Sequence, residues 1–278
     1  MSENWIVQNL NKALAVWDEM LGEIYTLVRL SPTEFRGGTI WTVVESIHGS
    51  MQAVGYALLV LFFVADVMRN TGSFAELRRP EHALRPFLRF AISKAVISHS
   101  MELLLSFLNI VSGMIGTIAE STAALGGAGT ELPQEMVDAI EGCGFLESIP
   151  LWAIALICSL AVWVLSFTMV LTVYGRFFKL FLFAAIAPVP LSSFAGEPTQ
   201  EIGKSFLRSF AASCLEGAAI ILSCVIFSAF AATPPNVEIG TAPATMVWSY
   251  FGELIFNMLI LVGAVKMSDR VSREIMGV

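Results

Sequence analysis

The sequence predicts an all-α integral membrane protein, with about five transmembrane helices, a proline-broken re-entrant segment and an N-terminal amphipathic helix. Three observations predict this class. Of 278 residues, 56% are hydrophobic and only 14% charged, and the mean hydropathy is +0.73; soluble domains are roughly 45–50% apolar and about 25% charged. From Ser148 to Gly175 no residue carries a charge, and a membrane-crossing helix needs about 20 mostly apolar residues. Finally, Lys and Arg fall in alternate loops, the asymmetry that sets orientation in a bilayer.

Each element has its own signal. Residues 3–30 place Ile6, Leu10, Leu14, Trp17, Leu21, Ile24 and Val28 at steps of three or four, with Asn9, Lys12, Asp18, Glu19 and Glu23 between them. That spacing is an amphipathic helix, suited to the outer membrane interface or to an assembly surface. The start, MSENWIVQNLNK, lacks the basic and apolar regions of a cleavable signal, so the first span is expected to do the targeting and the mature chain to begin near Met1. SPTEF, at Ser31–Phe35, carries a start signal for a short helix, with Ser31 as cap and Pro32 behind it. Gly37 and Gly38 then loosen the chain.

The first span is expected over Ile47–Val67, succeeded by a basic loop holding Arg69, Arg78, Arg79, Arg85 and Arg89. A second, Phe90–Ala119, is the least pure, with Lys94, His99 and Glu102 in its first half. An acidic loop from Glu120 to Pro150 has no Lys or Arg, and within it PQEMVDAIEGCG predicts a short helix starting at Pro133 and ending at Gly142. The third span is Leu151–Val173. The fourth, Phe206–Ala232, contains Glu216, and the last, Met246–Val265, contains Glu253. These bounds divide the chain into an extracytoplasmic N-terminal region (1–46), a polytopic membrane region (47–265) and a short cytoplasmic tail (266–278).

Between the third and fourth spans lies KLFLFAAIAPVPLSSFAGEP. Pro188 and Pro190 remove two backbone donors and disfavour helix in the residues before them. The 11 residues from Phe177 to Ala187 rise only about 16 Å as a helix, half of a hydrocarbon core about 30 Å thick. A segment that enters from the cytoplasm and returns places 13 Lys and Arg inside, leaving Lys12, Arg29 and Arg36 outside. A full crossing there would put Lys204 and Arg208 outside and invert everything after them. The expected topology therefore has the N-terminus outside and the C-terminus inside. The other reading of the prolines is a kink in an ordinary helix.

No catalytic motif is present: there is no HExxH, no Gly-x-Ser-x-Gly, no P-loop and no Gly-x-Gly-x-x-Gly. No enzyme activity, cofactor or metal is expected. His48 and His82 are placed at the interface and in a loop. Cys143, Cys158, Cys214 and Cys224 have no metal or redox spacing. Lys94, Ser98 and Glu102 lie four residues apart, with His99 three before Glu102, so they share a helix side. Intramembrane charges face a bundle interior or water, which makes this side a candidate channel lining or gate; alternatively Lys94 snorkels to headgroups and Glu102 pairs in the bundle. Glu216 and Glu253 are candidate helix-to-helix hydrogen-bonding acids. Ser205, Ser209, Ser213 and Gly217 form a small-residue ladder that admits a close helix approach.

WIVQNLNKAL, HALRPFLRFAISKA, CGFLESIPLW, YGRFFKLFLFAAIAPVPLSSFAGEP, IGKSFLRSFAASCLEGA and WSYFGELIFNMLILVGAVKMSDRV together resemble the TrbL-like family of conjugative type IV secretion proteins, in the short form found in integrative and conjugative elements of Gram-positive bacteria. The resemblance implies an extracytoplasmic N-terminus, about five spans, a cytoplasmic C-terminus and no catalytic residues. It implies a homo-oligomeric channel or scaffold subunit in the cell membrane, contacting lipid and other secretion subunits. Secretion ATPases and a coupling protein would deliver relaxase-bound single-stranded DNA, with the basic loop and tail as docking surfaces. Longer relatives carry a polar tail that this sequence lacks after its last span. The rival function class is an independent solute transporter or ion channel using Lys94, Glu102, Glu216 and Glu253; transporters usually pair interrupted helices in two related halves, and only one interrupted segment is seen.

Overall fold

The computed structural model describes residues 4–70, 80–122, 131–230, 235 and 241–278. Arg78, Arg79 and the side chain of His82 lie outside the described part, as do residues 123–130 of the acidic loop. The elements are α1 (Trp5–Arg29), a 3-10 turn (Phe35–Gly38), α2 (Thr39–Asn70), α3 (Pro80–Ser98), α4 (Ser100–Thr122), α5 (Gln134–Glu141), α6 (Phe145–Ile186), the single turn α7 (Pro188–Leu191), a second 3-10 turn (Ser192–Ala195), α8 (Gln200–Phe230) and α9 (Pro243–Met276). No strand occurs among the described residues. Five helices are long and apolar enough to cross a membrane, within Phe35–Arg69, Ser100–Ala119, Ser148–Ile186, Gln200–Phe230 and Pro243–Met276. The chain is an all-α, multi-pass membrane protein.

It forms two compact units, one from residues 1–29, 115–174 and 218–268, the other from 30–114, 175–217 and 269–278. In the first, α1 buries Ile6, Val7, Leu10, Ala13, Leu14, Trp17, Ile24, Leu27 and Val28, the stripe its periodicity predicts. The Trp5 and Trp152 rings lie 5.6 Å apart, and Asn9 Nδ2 donates to Ser159 Oγ at 3.1 Å. Both pairs advance in the same direction, so α1 runs parallel to the first half of α6. α5 closes on the N-terminal end of α1, where Asn4 Nδ2 donates to the Ile140 carbonyl at 3.4 Å. Pro133 and Gly142 flank α5 as predicted.

In the second unit α2 runs beside the end of α6 and the turn after it. Phe35 stacks on Phe177 with centroids 4.2 Å apart, and Trp41 lies 6.4 Å from Phe181. The SPTEF stretch makes a turn rather than a helix, with Ser31 Oγ accepting from the Thr33 backbone N–H at 3.4 Å. Arg36, Gly37 and Gly38 come next, with φ of 50°, 70° and 77°. α3 returns along α2 as a hairpin, with Phe63 between Phe87 and Phe90 at 5.4 and 4.9 Å. The helical ladder passes from α3 into α4 through His99, whose N–H reaches the Ala95 carbonyl and whose carbonyl accepts from Leu103, both at 3.0 Å.

The structure revises the proline region. Residues 177–186 are not a separate segment: α6 runs unbroken for 42 residues, about 63 Å at 1.5 Å per residue. Ala187 begins the break, and the chain reverses through α7 and the 3-10 turn into α8. α8 lies antiparallel to α6, as Phe183 meets Phe206 and Phe210 at 5.6 and 6.3 Å. The reversal seats on α2 at Gly55, where a built Cβ would lie 2.7 Å from the Pro188 carbonyl oxygen. Only glycine admits that approach. Gly55→Ala is expected to lower the thermal unfolding midpoint in detergent through overpacking, typically about 1–3 kcal/mol. Gly49→Ala, on the same helix with nothing within 4 Å, gains up to about 1 kcal/mol of helix propensity and provides the opposite-signed control.

Candidate functional site

Two groups of polar residues, both inside the second unit, hold the region that the prolines break. The first collars the reversal. His48 is buried, its Nδ1 2.6 Å from the Ala184 carbonyl and its Nε2 2.9 Å from Ser100 Oγ. A carbonyl only accepts, so Nδ1 carries a proton. Gln52 Nε2 donates to the Ile97 carbonyl at 3.2 Å, and Tyr56 and Ser98 hydroxyls meet at 2.9 Å. One turn apart along α2, these residues tie it to the end of α3, the start of α4 and the end of α6. His48, expected at the membrane interface, is buried between these helices.

At the end of the reversal Asp66, 1% exposed, accepts from the Glu197 backbone N–H at 3.1 Å through Oδ1. Its Oδ2 is buried without a partner. The Glu197 side chain is paired with Arg89 at 3.2 Å. That hydrogen bond, and secondarily the guanidinium charge, holds the Glu197 carboxyl below the usual carboxylate range. Arg89 of the predicted basic loop is therefore engaged within the protein, whereas Arg69 and Arg85 are exposed.

The second group sits on α6, α8 and the end of α9. Arg176 is 3% exposed; its Nη2 donates to the Cys214 carbonyl at 3.4 Å, and Nε and Nη1 have no partner. One turn on, Lys179 Nζ pairs with Glu216 at 3.4 Å and with Asp269 at 3.0 Å, and Arg273 joins Asp269 at 3.2 Å. Glu216, with a side chain 2% exposed, makes the helix-to-helix hydrogen bond expected of it, accepting from Lys179 Nζ of α6, and is at the same time an ion-pair partner. Buried pairs of this kind rarely add stability over apolar packing, but removing one partner strands the other charge.

Gly217 explains the small-residue ladder differently from a backbone-to-backbone approach. Ser205 is exposed, Ser209 half-buried, and Ser213 and Gly217 buried. A Cβ on Gly217 would lie 2.5 Å from Arg176 Cζ, so the flat guanidinium lies on α8 where a side chain is missing. The sequence offered a signal: a glycine after the lone acid of an apolar helix, in a chain with Arg and Lys three apart at the end of another.

The remaining predicted polar residues do not converge. Lys94, Ser98, His99 and Glu102 do share one helix side, but it is an exposed one; His99 pairs with Glu102 at 3.1 Å, and the Glu102 side chain is 78% exposed. Glu253 is likewise exposed on α9. Pro188 is buried and Pro190 half-buried in the reversal. All four cysteines are free. Among the described residues no group of three His, Cys, Asp or Glu side chains gathers as a metal set.

Comparison with known proteins places the chain. Residues 18–188, well over half of it, match the family described as TrbL/VirB6 plasmid conjugal transfer like protein. No curated protein and no solved structure matches.

The Arg176–Gly217 contact is tested by a double-mutant cycle read as thermal stability in detergent. Gly217→Ala forces the buried guanidinium to shift, an overpacking of about 1–3 kcal/mol. Arg176→Met removes both the buried charge and the obstruction, so Gly217→Ala becomes nearly neutral in that background. A Gly217→Ala penalty that is the same with and without Arg176→Met contradicts the contact.

Proposed function

The chain belongs to the TrbL/VirB6 family of conjugal transfer proteins, and we propose that it serves as the channel or scaffold subunit in the inner part of the translocation path of a type IV secretion machine. The family match carries the reading, and membership makes the chain a membrane-embedded component of conjugal transfer. The role within that machine is our inference. Several copies assemble in the cell membrane around a route for relaxase-bound single-stranded DNA, while partner ATPases and a coupling protein supply energy and substrate. This chain performs no covalent step.

Its geometry supports that division of labour. Lys94, His99 and Glu102 form an exposed polar side beside an apolar span, and charge at such a position is stable only against water or another protein. These residues are therefore assigned to the lining at the mouth of the path or to the neighbouring copy. Arg69 and Arg85 stay exposed next to the α2–α3 connection, where they dock an acidic partner or meet DNA phosphates. The orientation we assign keeps the N-terminus outside and the α2–α3 connection, the proline reversal and the C-terminus inside. A solute transporter would gather its intramembrane charges around one cavity; here Glu216 is committed to Lys179 while Lys94 and Glu102 point away from the packed interior.

Deleting the gene is expected to abolish conjugative transfer while leaving growth and solute uptake unchanged, and the tagged protein is expected to co-purify with other secretion subunits. Normal transfer frequency in the deletion strain refutes the reading.

A further inference from the structure

Within the first unit, the parallel pairing of α1 with α6 leaves an open groove between them. It has two hollows in succession, one of about 520 Å³ beside Asn4, Trp5, Ser148 and Trp152, the next of about 380 Å³ beside Asn9, Lys12, Leu156, Leu160 and Trp163. The two walls differ in kind. Asn4, Asn9 and Lys12 stand on the α1 side, whereas Ile149, Trp152, Leu156, Ile157, Leu160 and Trp163 of α6 are apolar and 40–66% exposed. Lys12 is exposed and joins none of the ion pairs among the described residues. No Asp or Glu lines either hollow.

Beyond the second hollow the apolar wall continues. Leu160, Val164, Phe167 and Leu171 are 56–68% exposed, and their spacing of four, three and four puts them on one side of the helix. From Leu160 to Leu171 α6 rises about 16 Å, close to the hydrocarbon depth of one leaflet, half of a core about 30 Å thick. We propose that this groove binds one anionic phospholipid of the bilayer, with its phosphate at Lys12, its headgroup in the first hollow and an acyl chain along Leu160, Val164, Phe167 and Leu171.

Each part of the lipid meets matching chemistry. A helical side chain leans toward the N-terminus of its own helix, so the Lys12 ammonium reaches back toward Asn9 and the more polar first hollow while its stem covers apolar surface. A cation beside an apolar span is costly unless it meets water or a countercharge, and a phosphate supplies that charge. Trp5, Trp152 and Trp163 flank the same level, and indoles favour the headgroup region of a bilayer. The exposed stripe belongs to the charge-free stretch Ser148–Gly175, whose surroundings in the membrane are acyl chains. With no carboxylate on the groove, an anionic headgroup meets no repulsion.

The site depends on the membrane class of the fold and not on a role in transfer, and its test reads lipid alone. The full chain is reconstituted in phosphatidylcholine vesicles that contain a small fraction of phosphatidylglycerol or of phosphatidylcholine brominated in the acyl chains, and tryptophan quenching is followed. The brominated phosphatidylglycerol is expected to quench with about fivefold higher apparent affinity, the effect of one basic residue beside an anionic headgroup. Lys12→Gln is expected to bring the two lipids to parity, Lys12→Arg to keep the difference, and Trp163→Phe to remove most of it along with the reporter in the groove. Equal quenching in the unmodified chain, or a difference that survives Lys12→Gln, overturns the proposal. A difference erased by glycerol phosphate in solution also overturns it, because the ligand is then a free phosphate. So does a Trp163 that neither lipid quenches, the result of a second copy covering the groove.

Discussion

The arrangement depends on one constraint, the 28-residue stretch of α6 from Ser148 to Gly175 that carries no charge. A stretch of that length and composition is held at membrane depth by the cost of exposing it to water, and any helix packed along it shares that depth. α1 packs along it. An amphipathic helix, which alone would lie flat on a membrane, here lays its apolar stripe against other helices of its unit, with Leu10 and Leu14 fully buried. The same stretch ends at Arg176, beyond which Lys179 pairs with the buried Glu216 and with the half-buried Asp269.

The proline reversal solves a second problem. A chain that must turn sharply beside other helices leaves backbone groups without helical partners, and buried ones must be satisfied. Here the turn is made of short 3-10 and α pieces that satisfy one another, with Thr199 Oγ1 donating to the Ser193 carbonyl at 2.8 Å and Asp66 capping Glu197. Gly55 lets α2 come close enough to lock it. The break is therefore a closely packed joint between α6 and α8.

Much of the fold is legible in the sequence, because apolar length and turn chemistry are local signals. The all-α membrane class, the termini of α5 at Pro133 and Gly142, the stripe of α1 and the break at Pro188 all come from such signals. The surroundings of each residue do not. Periodicity places Ile6, Leu10 and Leu14 on one side but does not say whether that side covers lipid or a neighbouring span. His48 and Arg176 are ordinary residues by spacing, and their burial depends on carbonyls and a glycine distant in the chain. The helical continuity of residues 177–186 with the third span is hidden because YGRFFK reads as the span's end; charged and aromatic residues at a membrane boundary do not stop a helix. The shared side of Lys94, Ser98 and Glu102 is legible, its exposure is not.

The pairing of α1 with the charge-free half of α6 carries the account, and proximity in native membranes tests it most directly. Cysteines replacing Asn9 and Ser159, in a chain without the native four, are expected to be joined by a short thiol crosslinker in intact membranes, whereas cysteines at Asn9 and Leu171, further along the same stretch, are not. Failure of the first pair to crosslink, with both cysteines shown to be reactive, would contradict the parallel pairing.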